Sequence, residues 1–143
     1  MSIFNGKPSR IIGENYLHRY HLIPRNPICN IMLHRFVGSD DDRALHCHPW
    51  FSVSFLLKGD LFEVMKNSAT PGTHRARRIR RCWPVFRKAT HAHRLVLGIE
   101  GDAWTLFLTG PVIRPWYFHC PQGLVHHKQF TDASGNGIGR GCD

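Results

Sequence analysis

The sequence lacks the long apolar runs and the helical periodicity that mark membrane-spanning and α-helical proteins. No apolar segment approaches the about 20 residues that a transmembrane helix needs, and no long segment repeats apolar residues at i, i+3, i+4 and i+7. The N-terminal stretch MSIFNGKPSRII has no charged leader followed by an apolar run, so we expect no signal peptide. We therefore expect a cytoplasmic protein with little helix and no membrane partner.

Cysteine is sparse, and its spacing contains no C-x-x-C pair. The five cysteines are odd in number and far apart: Cys29, Cys47, Cys82, Cys120 and Cys142. This spacing favours neither a disulfide framework nor a cysteine-based zinc ribbon. We expect reduced thiols, as in a cytosolic protein.

Acidic residues are scarce, because ten Asp and Glu stand against nineteen Lys and Arg, for a net charge of +9. The densest basic run, HRARRIRR at residues 74–81, contains Arg75, Arg77, Arg78, Arg80 and Arg81. Such a run can bind an anion or nucleic acid. Since no aromatic residues are interleaved with it for base stacking, we favour a strand with a solvated basic face over a nucleic-acid-binding surface.

Short runs of aromatic and β-branched residues dominate the chain, separated by Gly, Pro, Asn and Asp, and this pattern predicts strands. The predicted strands cover residues 16–22, 30–36, 51–57, 61–66, 75–80, 84–87, 93–98, 103–109, 115–119 and 125–130. Ten short strands in 143 residues predict one all-β domain, a sandwich, jelly roll or barrel.

Turn and terminal segments give the expected organisation of this domain. Lys58-Gly59-Asp60 and residues 98–102 are interpreted as two hairpin turns. We expect an N-terminal extension over residues 1–15 and the barrel over 16–131. The glycine-rich residues 132–143 are predicted to form a flexible tail.

Histidine is abundant, with eleven residues. About 0.8 H-x-H pairs are expected by chance at this composition, and the chain has two, His46/His48 and His91/His93. Residues two apart share a face of a strand. One face then carries His46, His48, Trp50, Ser52 and Ser54, and the other carries Phe51, Val53, Phe55 and Leu57. Because buried imidazoles and hydroxyls need polar partners, we favour a metal site over structural histidines.

A third imidazole would come from His93 or His91. His93 opens the alternating run HRLVL, in which His93, Leu95 and Leu97 share one face, whereas His91 lies in the preceding turn. We choose His93 as the ligand and keep His91 as the alternative or as a neighbour of the ligands.

The pattern His46-x-His48, followed by Ser52 and Gly59, resembles the first motif of the cupin superfamily, in which Glu occupies the position of Ser52. Residues 84–97, PVFRKATHAHRLVL, are similar to the second motif without its turn glycine. Together with SDDDRALHCHPW, WTLFLTGP and WYFHCPQGLVHH, they resemble small uncharacterised cupins from bacteria and phages whose first motif reads H-D-H-P-W. This resemblance covers about residues 16–130 and implies a single-domain cupin-type double-stranded β-helix, a jelly-roll barrel.

The resemblance also implies one divalent transition metal, held by His46, His48 and His93, the last being the histidine before Arg94. Because Ser52 is a poor ligand, water or an anion would complete a three-histidine shell for Fe, Zn, Ni or Mn. Ser52, His91 and His119 are alternative or neighbouring residues. Trp50, Ser54, Trp104 and Phe107 are expected to form pocket walls. Glu63 is expected opposite Leu56, deeper than the histidines, and is not counted among the ligands.

The sequence is compatible with three functions. The first is a metal-dependent, oxygenase-type enzyme acting on a small anionic or chelating molecule. The second is a non-catalytic small-ligand-binding or regulatory cupin, and the third, which we do not favour, is a nucleic-acid-associated protein that uses the basic strand. In each case the apolar face of Phe51, Val53, Phe55 and Leu57 predicts a homodimer.

Overall fold

A computed structural model describes residues 6–13, 15–39, 44–133, 139 and 141–142. The strands in chain order are β1 (Arg10–Ile12), β2 (Leu17–His21), β3 (Asn30–Phe36), β4 (Leu45–His46), β5 (Ser52–Lys58), β6 (Leu61–Lys66), β7 (His74–Arg78), β8 (Val85–Arg87), β9 (His93–Leu97), β10 (Ala103–Thr109), β11 (Tyr117–Cys120) and β12 (Gly123–His126). The single described helix, α1 (His127–Phe130), is one turn long.

Two antiparallel six-stranded sheets build the domain. The first sheet has the order β1-β2-β3-β10-β5-β8 and the second has the order β12-β11-β4-β9-β6-β7. The chain therefore alternates between the sheets, and the predicted all-β fold is confirmed. Two short strands were not predicted. β1 lies within the expected N-terminal extension, and β4 carries His46.

The two predicted hairpins are wrong, although Gly59 does adopt the left-handed conformation (φ +87°). β5 and β6 lie in different sheets, as do β9 and β10, so each turn carries the chain from one sheet to the other. A Cβ on Gly59 would lie 2.6 Å from the carbonyl oxygen of Asp102, so the two turns touch there. Glu63 consequently pairs with Leu95 and Arg77 in register, and not with Leu56.

Apolar side chains fill one end of the space between the sheets. This core consists of Leu17, Phe36, Leu56, Leu61, Ile79 and Ala103. A smaller core near the chain's end contains Ala44, Phe118, Cys120 and Phe130. Between the sheets a cavity of about 1010 Å³ remains open, and polar side chains of the inward strand faces reach it.

The described part of the chain contains one disulfide bond and no helix that could cross a membrane. Cys120 forms a disulfide bond with Cys142, so the expectation that all thiols are reduced is wrong for this pair, while Cys29, Cys47 and Cys82 are free. Among the described helices none is long and apolar enough to cross a bilayer. Most of the predicted flexible tail lies outside the described residues.

Candidate metal centre

Three histidines converge where β4 ends and β9 begins, at the two central strands of the second sheet. His46 on β4 and His93 on β9 are register partners across neighbouring strands. His48 follows β4, and its backbone N–H donates to the carbonyl oxygen of Ala89 at 3.0 Å, which fixes the segment beside them. One ring nitrogen from each of the three lies within 4.8 Å of the other two. This spacing suits one ion, since metal–imidazole bonds are about 2.0–2.1 Å long.

Glu63 fixes the orientation of His93. The Nδ1 of His93 lies 2.6 Å from Glu63 Oε1, and the Glu63 side chain is fully buried. A carboxylate only accepts hydrogen bonds, so Nδ1 carries the hydrogen and Nε2 is left as the lone-pair donor. Metal-binding histidines commonly donate their second N–H to a carboxylate in this way. Sequence reasoning placed Glu63 away from this position, because it assumed the β5–β6 hairpin.

Two arginines neutralise the same carboxylate. Arg87 Nε donates to Glu63 Oε1 at 2.6 Å, and Arg77 donates to Oε2 through Nε at 2.7 Å and Nη2 at 2.6 Å. Burial by itself would raise the pKa of Glu63, but hydrogen bonds from His91 and His93 and the charge of Arg87 hold that pKa far below its usual range. With both oxygens engaged, Glu63 orients a ligand and is a poor candidate for a ligand itself.

His91 lies on the outer side of this arrangement. Its Nε2 is 3.2 Å from Glu63 Oε1, and 30% of its side chain is exposed. Glu63, His91 and His93 form a second group with metal-ligand spacing. Because both carboxylate oxygens already accept from arginines, the group of His46, His48 and His93 offers the better donors.

Burial keeps two of the three imidazoles neutral. Desolvation lowers the pKa of His93 to about 3, although the hydrogen bond to Glu63 acts in the opposite direction. The pKa of His48 also lies well below 6.5, through burial first and then through the charges of His93, His46, Arg87 and Arg19. Only a neutral imidazole has a lone pair for a metal, so both side chains are ready to coordinate at neutral pH.

The expected pocket walls divide into two groups. Trp50, Ser54 and Phe107 line the cavity, and Ser54 Oγ accepts a hydrogen bond from Arg87 Nη1 at 2.7 Å. Trp104 points to the outer face of the first sheet, where it stacks on Tyr20 and lies below Arg35. It therefore does not form part of the cavity wall.

The remaining candidates lie outside the histidine cluster. Ser52 is 1% exposed and faces inward on β5, but Ser54, and not Ser52, lines the cavity. β11 does neighbour β4, yet it is Phe118 that lies opposite His46 in the pairing of the two strands. His119 has its Nδ1 3.0 Å from Lys66 Nζ.

The basic strand β7 is largely occupied by ion pairs. Arg77 binds Glu63, Arg78 Nε lies 2.7 Å from Asp60 Oδ1, and Arg81 pairs with Glu100. Arg80 lies over the Trp83 ring, 4.9 Å from its centroid. Of the five arginines, Arg75 alone has no described ion pair or ring contact. Three of the five arginines therefore have an acidic partner among the described residues.

Basic residues that sequence reasoning missed line the cavity. They are Arg10, Arg19, His21, Arg25, His34, Arg87, Arg114, His126, His127 and Lys128, and no described Asp or Glu lines the cavity with them. Several of these residues lie on β2 and β3, where an alternating polar pattern resembles that of a solvated sheet face. The only sequence signal for these residues was the alternation of polar and apolar side chains in LHRYH and NIMLHRF.

Comparisons with known proteins agree with this architecture. No protein-family model and no curated protein matches the sequence. Among solved structures, a protein with a double-stranded β-helix domain from Klebsiella pneumoniae superposes with a TM-score of 0.58 at 9% sequence identity. The superposition covers 82% of this chain and 94% of the Klebsiella chain. Oxalate oxidase in complex with the substrate analogue glycolate superposes with a TM-score of 0.56 at 13% sequence identity. The superposition covers 80% of this chain and 60% of the oxalate oxidase chain.

A third similar structure is Fe(II)-HppE with the alternative substrate (S)-1-HPP, which has a TM-score of 0.53 at 14% identity. The superposition covers 66% of this chain and 50% of that one, so the chain spans about half the length of that enzyme. At these identities the likeness concerns the fold. The chain has the cupin-type double-stranded β-helix fold.

Proposed function

We propose that the protein binds one divalent transition metal through His46, His48 and His93 and acts as a metal-dependent, oxygenase-type enzyme on a small anionic or chelating molecule. The observation that carries this proposal is the hydrogen bond from His93 Nδ1 to buried Glu63, which directs the lone pair of Nε2 away from the carboxylate. Structurally similar metal-dependent cupin enzymes support it.

The charge of the site favours an anionic ligand. Three neutral imidazoles do not compensate a divalent ion, so an anion at the open coordination positions is favourable. The cavity adds the positive charges of arginines, and no described Asp or Glu lines it. Fe, Zn, Ni and Mn all accept this set of nitrogen donors.

The chain's own residues orient the histidine ligands and enclose the cavity. A bound metal would act as a Lewis acid and orient the substrate. Glu63 and Arg87 hold His93 in place, while Trp50, Phe107 and Trp116 line the cavity with aromatic surface. Among the described cavity residues there is no carboxylate to serve as a general base.

Metal analysis of freshly purified protein tests the proposal. We expect about one equivalent of a transition metal, and we expect His48→Ala to lose most of it. His74→Ala is the matched control, because His74 is exposed on β7, and it should keep the metal. Full metal retention in His48→Ala would contradict the assignment.

One observation favours a second function, a non-catalytic small-ligand-binding or regulatory module. The described cavity residues offer no carboxylate for acid–base chemistry, so a bound metal could hold a ligand without converting it. Retained metal and saturable ligand binding, with no turnover of any small carboxylic acid tested under air, would select this alternative.

A further inference from the structure

Arg19 extends into the cavity from β2, and its guanidinium has no carboxylate partner among the residues that the structure describes. It lines the cavity and is half-buried. The described hydrogen bond of its guanidinium runs from Nε to Nε2 of His34 at 3.0 Å, and no described Asp or Glu lies within ion-pair distance of it. Arg87, also on this sheet, differs because its Nε donates to the carboxylate of Glu63 and its Nη1 donates to Ser54 Oγ. Among the described residues, no carboxylate therefore compensates the charge of Arg19 inside the barrel.

Further cations surround Arg19. Arg10 is its register partner across the β1–β2 ladder, and like charges opposite each other on neighbouring strands are unfavourable. Burial first, and then the charges of Arg10 and Arg25, lower the pKa of Arg19 to about 10. A site that concentrates partly desolvated cations is stabilised when an anion enters it.

His34 fixes the orientation of the guanidinium. The ring is 4% exposed and stacks on Phe107 with centroids 4.7 Å apart. Since His34 Nε2 accepts from Arg19 Nε, the ring's hydrogen is on Nδ1. The hydrogen bond uses one donor of a planar fork, and the Nη groups remain available for a carboxylate or phosphate, which a guanidinium binds through two parallel hydrogen bonds.

Arg19 and the histidine cluster belong to one cavity. Both line the same space between the sheets, and the contacts of Arg19 with His34 and of His34 with Phe107 lead from Arg19 to the row of the first sheet that contains Ser54. Met32, Phe107 and Ser54 occupy one cross-strand row of the first sheet and line the same cavity. A molecule of moderate length can therefore approach the histidines at one end and Arg19 at the other.

We infer that Arg19, held in place by His34, binds an oxyanion group, a carboxylate or a phosphate, of the ligand that enters this cavity. The ligand then has two polar ends, one at the histidine cluster and one at Arg19. The first of these ends rests on the proposed function, whereas the oxyanion site at Arg19 does not require a metal.

Calorimetric titration of the full-length protein tests this inference. The protein is titrated as purified and again after treatment with a chelator, in separate arms with succinate and with inorganic phosphate. We expect saturable binding of one of the two after chelation, and the tighter arm identifies the oxyanion class. Arg19→Gln should weaken this binding by about tenfold or more, since it removes a charge-assisted pair of hydrogen bonds.

The matched control is Arg75→Gln, which removes the same charge from an exposed strand position and should change the affinity by less than about twofold. Arg19→Lys should restore part of the binding, because it returns the charge without the fork. Wild-type affinity in Arg19→Gln, an equal loss in Arg75→Gln, or no binding of either anion would overturn the inference.

Two further measurements separate folding and metal effects from the oxyanion site. If Arg19→Gln does not fold, the wild-type protein gives the answer by NMR, since the Nε–H of Arg19 and the ring of His34 should shift on titration, and unchanged signals would refute the site. Metal content of Arg19→Gln should equal that of wild type. A protein that contains no metal as purified, but that still needs Arg19 to bind the anion, would contradict the proposed function and support this inference.

Discussion

Arg87 and Arg19 reach the cavity from strands near opposite edges of the first sheet, and their surroundings differ. Arg87 on β8 is 3% exposed and makes hydrogen bonds to Glu63 and Ser54. Arg19 on β2 contacts a neutral imidazole and lies near Arg10 and Arg25. The same residue type therefore has two roles in one barrel. The compensated arginine holds the histidine cluster in position, and the uncompensated one is left to bind a ligand.

The largest expected effect is a difference in stability between two variants. Arg87→Gln leaves Glu63 buried with one of its cations missing, and breaking a buried ion pair costs about 3–5 kcal/mol of unfolding free energy. Arg19→Gln loses one hydrogen bond but relieves repulsion from Arg10, so we expect a change of less than about 1 kcal/mol. Chemical denaturation of both variants measures the difference. Equal destabilisation would show that the two arginines are not distinguished in this way.

Acid should destabilise the folded protein through the buried histidines of the cluster and through His34 beside Arg19. The pKa of His93 is about 3, and the pKa values of His48 and His34 are also well below 6.5, with burial the largest cause in each. Between pH 6.5 and about 3 the unfolded chain binds protons that the folded one does not, so stability falls as pH falls. Each histidine contributes up to about 1.4 kcal/mol per pH unit.

Denaturation of the chelated protein at several pH values measures this slope. His34→Gln removes one of these three buried histidines, the one beside Arg19, and should make the dependence of stability on pH shallower. Replacing the exposed His74 should leave that dependence unchanged. A stability that stays constant between pH 6.5 and 4 would contradict the assignment of neutral, buried imidazoles.

The sequence predicted the strands well because their signals are local. Residues 30–36, 61–66 and 103–109 were predicted with the bounds that the structure has. The two turns were misassigned because a Gly-containing turn specifies a reversal of the chain but does not specify which sheet the next strand joins. The pairing of β6 with β9, and with it the position of Glu63, depends on contacts about thirty residues apart.

The site was predictable only in part. His46, His48 and His93 were chosen as candidate ligands from strand parity together with the resemblance to cupins, and the structure brings them together, while metal binding itself stays a prediction. Arg19 and His34 were missed, since an inward polar row that faces a cavity has the same alternation as an outward row that faces water. The Cys120–Cys142 bond was missed because an odd cysteine count gives no pairing.

The smallest expected effect concerns the outside of the barrel. Phe51, Leu57 and Phe86 are 42%, 45% and 59% exposed on the outer face of the first sheet, and the homodimer expected from this apolar surface remains a prediction. Phe86→Glu should weaken self-association by about tenfold or more, while Ile99→Glu, in the turn between β9 and β10, should not. Sedimentation equilibrium measures both, and a monomeric wild-type protein would rule the dimer out.

The central claim is that three histidines hold one metal while Glu63 stays outside the shell. X-ray absorption spectroscopy of the protein as purified tests this most directly. We expect the scattering pattern of three imidazoles with metal–nitrogen distances of about 2.0–2.2 Å, and we expect it unchanged in Glu63→Gln apart from a lower metal content. Sulfur scattering, fewer than three imidazoles, or loss of a short oxygen ligand in Glu63→Gln would contradict the account.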